Sequence, residues 1–188
     1  MNARRNENGP VASAFLATSV DGFIAREDGG LEWLVGRGEA LGDTGYDDFF
    51  TSIEALVMGR GTYDVVKEFD EYPYAGKRVL ILSSSLESTD WPDATVHRSL
   101  DDALDTLARE GITRVYADGG KTVSLFLREG LLDEITISVA PVLIGRGIPL
   151  FGQLESDIEL ELTATRDLGS GFTQSTYRVV RPASESGQ

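Results

Sequence analysis

The chain has 188 residues, 41% of them hydrophobic, and 31 acidic against 17 basic side chains give a formal net charge of −14. With no cysteine and one histidine, His97, disulfides, thiolate chemistry and cysteine-ligated zinc are excluded, and a Ser-His-Asp hydrolase or a histidine-built metal centre is disfavoured. So acidic a chain is repelled by nucleic acid and anionic membranes, and no apolar run makes a signal peptide or a membrane span, so the expectation is a cytoplasmic protein whose partner is a small molecule.

The length suits one domain with a full core. Residues 1–9 and 182–188 are polar and read as disordered tails around a single domain at 10–181. Val11 to Val20 is mostly small and apolar and predicts a central strand. Asp21 and Gly22 turn out of it, and Asp21 reads as serving that turn. A polar loop follows from Arg26 to Trp33, with Gly29 and Gly30 adjacent. Directly after a central strand, such a loop is either a mobile cover over a ligand or a surface loop pinned by Trp33. Gly36 to Gly45 reads as irregular. Tyr46, Phe49, Phe50 and Ile53 stand at i, i+3, i+4 and i+7 and predict a short amphipathic helix. Asp43, Asp47 and Asp48 lie at its start, where carboxylates favour the helix dipole.

Ala55 to Met58 predicts a buried strand that leads through Gly59-Arg60-Gly61-Thr62 into a helix from about Tyr63 to Phe69. Val79 to Leu82 is a strand ending in Ser83-Ser84-Ser85, and Thr95 to His97 is a short one. Trp91 reads as loop packing and His97 as a structural or surface histidine. Ser99 caps a helix to about Arg109, with Leu100, Ala103, Leu104 and Leu107 on one face. Arg114 to Ala117 is a strand that breaks at Asp118-Gly119-Gly120 and resumes as a helix from Thr122 to Arg128. A strand turning through Gly-Gly into a helix leaves backbone N–H groups pointing out of the helix start, which with the helix dipole form an anion site. Glu134 to Val139 is a further strand, and Pro141 to Phe151 one that bends and ends. Ile158 to Ala164 and Thr173 to Val179 form an antiparallel hairpin around Asp167 to Gly171. The pattern implies an α/β fold of three layers, α/β/α, with a mainly parallel central sheet and a C-terminal antiparallel hairpin.

Ligands bind such sheets at the carboxyl ends of the strands. Three features fall there: Gly59-Arg60-Gly61-Thr62, Ser83-Ser84-Ser85 and Asp118-Gly119-Gly120-Lys121-Thr122. Together they offer an arginine, hydroxyls, and helix-start amides with a lysine, enough for a dinucleotide carrying an extra phosphate. The usual Gly-x-Gly-x-x-Gly after the first strand and the Gly-Lys-Ser/Thr of a P-loop are both absent.

The motifs Ser19-Val20-Asp21-Gly22-Phe23-Ile24-Ala25, Gly30-Leu31-Glu32-Trp33, Val57-Met58-Gly59-Arg60-Gly61-Thr62-Tyr63, Leu80-Ile81-Leu82-Ser83-Ser84, Ala117-Asp118-Gly119-Gly120 and Ala140 to Phe151 occur in this order. In that order the chain resembles the dihydrofolate reductase fold, in the branch that holds the reductase domain of bacterial riboflavin biosynthesis. The resemblance implies an NADPH-dependent oxidoreductase. It places Gly59, Arg60 and Thr62 on the cofactor phosphates, Ser83 and Ser84 near the adenosine 2′-phosphate, and Arg98 beside the adenine. It places Gly119, Gly120, Lys121 and Thr122 on the diphosphate, and Ala17 and Ile24 beside the nicotinamide, under a cover formed by Arg26 to Trp33. Dihydrofolate reductases use one carboxylate of the helix after the cover. Asp47 is the first candidate here and Asp43 the second, with Glu32, Trp33 and Phe50 as candidate substrate contacts. The plain reading of Glu32 is an exposed loop acid. The implied substrate is a pterin, dihydrofolate or a ribosylaminopyrimidine riboflavin precursor, and the implied assembly a homodimer through apolar strands such as Glu134 to Phe151. A non-catalytic NADP- or flavin-binding module, or a structural dimer that kept the fold, is the alternative.

Overall fold

A computed structural model describes residues 9–38 and 41–181, so the expected tails, Gly9 apart, lie outside the described residues. Strands β1 (Val11–Ser19) and β2 (Phe23–Ala25) lead into helices α1 (Glu32–Gly38) and α2 (Tyr46–Ser52). β3 (Ala55–Gly59) runs straight into α3 (Arg60–Val66), and β4 (Arg78–Leu82) and β5 (Ala94–His97) precede α4 (Leu100–Arg109). β6 (Arg114–Asp118) runs into α5 (Gly120–Arg128), followed by β7 (Leu132–Ala140), β8 (Ile148–Pro149), β9 (Leu160–Gly169) and β10 (Phe172–Val179).

The main sheet has the order β5-β4-β3-β6-β1-β7-β10-β9, and a small second sheet pairs β2 with β8. The main sheet is parallel from β5 to β7 and antiparallel at β10 and β9. Central parallel strands are covered on both faces and so need apolar residues at successive positions. Alternate residues divide between two cores. Ala55, Val57, Val115 and Ala117 join the core that contains Phe126 and Leu127 of α5 and Ala103 and Leu107 of α4. Leu56, Met58 and Tyr116 join the opposite core, with Tyr63 and Val66 of α3 and the aromatic face of α2. The hairpin turns at Ser170 and Gly171, whose φ angles of 53° and 81° suit the two-residue turn that matches strand twist. Ser99 caps α4 as expected, its hydroxyl accepting from the Asp102 N–H at 3.2 Å.

Several stretches differ from the residue pattern. α1 occupies part of the glycine-rich segment read as irregular. Trp33, 3% exposed, is buried with Ala140 and Phe172, and that packing outweighs the weak helix propensity of Gly36. α3 starts at Arg60, not Tyr63, because Gly59 is extended and serves as the N-cap. Between 141 and 151 only Ile148–Pro149 forms a strand. Asp21 holds the bend before it by accepting from the Ile144 and Gly145 N–H groups at 3.2 and 2.7 Å. The apolar character of Glu134 to Ala140 has an internal cause, since β7 lies between β1 and β10 and not at an edge. Among the described residues no helix is long and apolar enough to cross a membrane.

Phe126 is fully buried between α5 and the sheet. Phe126→Ala should cost about 3–5 kcal/mol by loss of burial and a residual cavity. Urea denaturation checks this as a lower midpoint at an unchanged slope.

Candidate active site

β1 and β6 pair at only three positions, Val11 with Arg114, Ala12 with Val115 and Ser13 with Tyr116. Beyond them β1 follows β7 up to Ser19, while β6 stays with β3 up to Asp118. The sheet therefore splits at the carboxyl ends of its parallel strands, where open α/β sheets hold ligands. Strand order sets Arg98 after β5, Ser83 after β4, Gly59 and Arg60 after β3, and Asp118 and Gly119 after β6 in one row. Ala17 of β1 lies across the split.

The centre of that row is a close contact between two strand–helix junctions. Gly119 has φ 87° and ψ 146°, a region that only glycine adopts readily. A Cβ there would sit 2.1 Å from the Thr62 hydroxyl oxygen. A Cβ on Gly59 would lie 3.6 Å from the Thr122 hydroxyl, and one on Gly120 would strike the Pro149 and Leu150 carbonyls and approach Ile24 at 3.3 Å. The structure thus brings Gly59, Thr62, Gly119, Gly120, Thr122 and Ile24 together. Neither α3 nor α5 has a side chain capping its N-terminus. Two adjacent helix starts therefore offer amides to whatever anion lies between them.

The other expected cofactor residues sit on the rim. Arg60 donates to both Asp64 carboxylate oxygens at 2.7 Å, and Lys121 is exposed. Ser83 turns its own loop, its hydroxyl accepting from the Ser85 and Leu86 N–H groups at 3.3 and 3.0 Å. Arg98 binds the same loop by donating to the Ser83 and Leu86 carbonyls at 2.9 and 2.8 Å. Ser84 is exposed. The loop from Arg26 folds on itself, with Arg26 N–H to Gly30 carbonyl and Gly29 N–H to Arg26 carbonyl, both 3.0 Å. Gly29 lies against Val65 of α3, where a Cβ would meet the valine methyl at 2.8 Å, so the loop rests on the helix that bears Arg60 and Thr62. Glu32 is exposed and paired with Arg26, while Trp33 packs with Ala140 and Phe172 and anchors that loop.

The two candidate carboxylates do not point inward. Asp43 is exposed and accepts from the Gly45 N–H at 2.7 Å, and Asp47 is exposed on the outer face of α2. The inner face carries Tyr46, Phe49 and Phe50, which pack with Phe15, Tyr74 and Tyr116. Phe50 also carries the Lys77 ammonium 5.1 Å from its ring centre.

The acid that the fold buries at the split is Asp118. The Tyr74 and Tyr116 hydroxyls lie 3.0 and 3.1 Å from its two oxygens. Burial pushes its carboxyl upward, opposed by hydrogen bonds from Tyr74, Tyr116 and the Gly119 N–H. Burial and then the field of Asp118 push Tyr46 up to about 12, and the same two causes raise Tyr74 and Tyr116. In sequence Asp118 is one member of a glycine motif. Its preceding run of buried strand residues is the one signal that it is drawn inside. Nothing in the sequence pairs it with Tyr74, 44 positions away.

A model of the RibD C-terminal domain matches residues 10–173. The chain belongs to that family. It is 36% identical over 160 residues to YwjB of Bacillus subtilis (strain 168), itself uncharacterised, covering 82% of this chain and 90% of YwjB. A crystal structure from Shewanella sp. PV-4, assigned to riboflavin biosynthesis, is 35% identical with a TM-score of 0.81 and covers 91% of this chain and 99% of that one. Dihydrofolate reductase from Enterococcus faecalis, solved with NADP(H) and RAB-propyl, is 17% identical with a TM-score of 0.64, covering 90% and 96% of the two chains. The last likeness shows the shared fold, as the sequence motifs imply.

Gly119→Ala tests the central contact. It should destabilise the chain by about 1–3 kcal/mol through its backbone angles alone, and further through the clash with Thr62. In a denaturation double-mutant cycle, Thr62→Ala should recover the clash and leave the backbone cost.

Proposed function

We propose that the chain is an NADPH-dependent oxidoreductase that reduces a small heterocycle of pterin, dihydrofolate or ribosylaminopyrimidine type. The observation that carries this reading is the pair of uncapped helix starts held together by Gly119 and Thr62 at the split of the sheet. Membership of the RibD C-terminal domain family supports it.

In this reading the first-turn amides of α5, with Thr62 and Thr122, hold the diphosphate, and Lys121 adds charge from the rim. Arg60 takes the additional phosphate by exchanging Asp64 for it. The pair is about 40% exposed on both sides, so little is lost in breaking it. Ser84 and Arg98 border the same end. Ile24 and Ala17 flank the nicotinamide, which supplies a hydride when bound. The loop from Arg26, seated on α3, keeps water from the reacting face. The aromatic face formed by Phe15, Tyr46 and Phe49 suits a flat ring.

Assembly belongs to the same proposal. β9 is the sheet edge, exposed along nearly its whole length, with Leu160 and Leu162 40% and 55% exposed. A long exposed edge that carries two leucines calls for a partner, and we place a second copy of the chain there. The expected compartment is the cytoplasm.

Titration calorimetry should show NADPH binding well above NADH. Arg60→Ala should remove about 1.5–3 kcal/mol of NADPH affinity, the worth of a charge-assisted hydrogen bond. Absence of NADPH binding overturns the reading. Binding without oxidation by pterins, dihydrofolate or the ribosylaminopyrimidine leaves a binding module in its place. Light scattering should give twice the chain mass, and Leu162→Lys should halve it.

A further inference from the structure

We propose that Asp118 stands in the cleft as an un-ionised carboxylic acid, and that Asp118, in place of Asp43 or Asp47, delivers the proton of the reduction. The second half rests on the reductase reading above; the first does not.

The hydrogen count carries the protonation. Tyr116 has one hydroxyl hydrogen, yet its oxygen lies 2.8 Å from the Phe15 carbonyl and 3.1 Å from Asp118 Oδ1. The carbonyl can only accept, and an ionised carboxylate can only accept. With Asp118 ionised, that one hydrogen is shared between two acceptors and fully satisfies neither. With the proton on Oδ1 the chain closes: Asp118 donates to Tyr116, Tyr116 donates to Phe15, and Tyr74 donates to Oδ2 at 3.0 Å. Every hydrogen then has an acceptor.

The surroundings agree. The titratable groups that face Asp118 are Tyr46 from α2, Tyr74 from the turn before β4 and Tyr116 from its own strand. α5 contributes the Gly119 N–H, and β1 the Phe15 carbonyl. No cation acts on it among the described residues. Arg60 is held by Asp64, and Lys77 by the Ile53 carbonyl at 2.7 Å. An acid so enclosed keeps its proton.

The position suits delivery. Asp118 immediately precedes the Gly119 contact and borders the split, where Tyr116 links it to Phe15 of β1. The Tyr46 hydroxyl, within the field of Asp118, has no hydrogen bond to another described residue and is free to hold a substrate atom or relay a proton. As the carbon of a substrate C=N bond takes the hydride of a reduced nicotinamide, its π pair moves to nitrogen. The Oδ1–H bond of Asp118 breaks and an N–H bond forms. The products are the amine, the oxidised dinucleotide and the Asp118 carboxylate, which regains a proton from water. A carbonyl substrate gives an alcohol by the same balance. The substrate class is therefore one with an imine nitrogen or carbonyl oxygen as acceptor.

Infrared difference spectroscopy of the wild type against Asp118→Asn at pH 7 should show a protonated-carboxyl band that the variant lacks. A wild type without the band overturns the proposal. Asparagine repeats the donor–acceptor pattern of the neutral acid, so the variant should fold. Above the ordinary carboxylate range the unfolded chain has released a proton that the native chain retains. The wild type should then lose stability relative to Asp118→Asn as pH rises, by up to about tenfold in the unfolding constant per pH unit; parallel pH profiles overturn the neutral acid. In NADPH oxidation with dihydrofolate or the ribosylaminopyrimidine, Asp118→Asn should lower kcat about 10²–10⁴-fold at an unchanged KM for NADPH. Asp118→Glu should restore part of it, and wild-type kcat should fall with rising pH. Equal kcat in wild type and Asp118→Asn overturns the donor role even if the band is present. NADPH binding with no turnover of any compound also overturns it. Failure to bind NADPH removes the reductase reading, and the infrared result still decides the protonation.

Discussion

Everything at the site depends on the parting of β1 and β6 after three paired residues. Two central strands that stayed together would bury their carboxyl ends in hydrogen bonds and side-chain packing. Instead β1 commits to β7 for the rest of its length, and β6 ends against β3 alone. The split brings two helix starts and one buried acid together at the middle of an otherwise close-packed sheet. Tyr116 spans the gap at its base, reaching the Phe15 carbonyl beyond the last paired residue. That hydroxyl links the two separated strands, and it also ties the acid to the scaffold.

The cleft has two electrostatic characters side by side. On one side, uncapped α5 and α3 present partial positive charge from backbone amides, with an arginine and a lysine at the rim. On the other, a single carboxyl group is ringed by phenols and given no cation. The first arrangement favours an anion. The second disfavours one, which keeps the acid neutral and makes it a hydrogen-bond donor. Gly119 lies at the boundary. Its backbone must pass within contact of Thr62, so any side chain there would push the two junctions apart. The net charge of −14 makes such a local positive site the more necessary for a phosphorylated ligand, because the field of the whole chain opposes it.

Much of this was legible in the residues. The strand–glycine–helix junctions at Gly59 and Gly119 follow from apolar runs broken by glycine and resumed at helical spacing. Their place at carboxyl strand ends follows from the α/β alternation. The inner face of α2 was equally plain from Tyr46, Phe49 and Phe50. The helix at Glu32–Gly38 was not, because it forms around a buried tryptophan whose partners, Ala140 and Phe172, are more than a hundred residues away. The strand at Ile148–Pro149 falls inside the longer one read from Pro141 to Phe151, but its limits were hidden, since its pairing with β2 depends on a bend that Asp21 holds from the other side of the chain.

The acid shows most clearly where sequence stops. Asp47 and Asp43 are candidates by resemblance, but the preference of carboxylates for helix starts keeps both in solvent. What the sequence by itself determined is the set of backbone features: glycines where no side chain fits, apolar strands for a covered sheet, and helices that begin where strands end. Those are local steric requirements, carried by a few adjacent residues. Only the tertiary structure decided which carboxylate lies inside and which phenols close around it. Tyr74, Tyr116 and Phe15 meet at Asp118 because three separate segments converge on one split in the sheet, and the protonation of a buried acid depends on that surrounding shell and not on its neighbours along the chain.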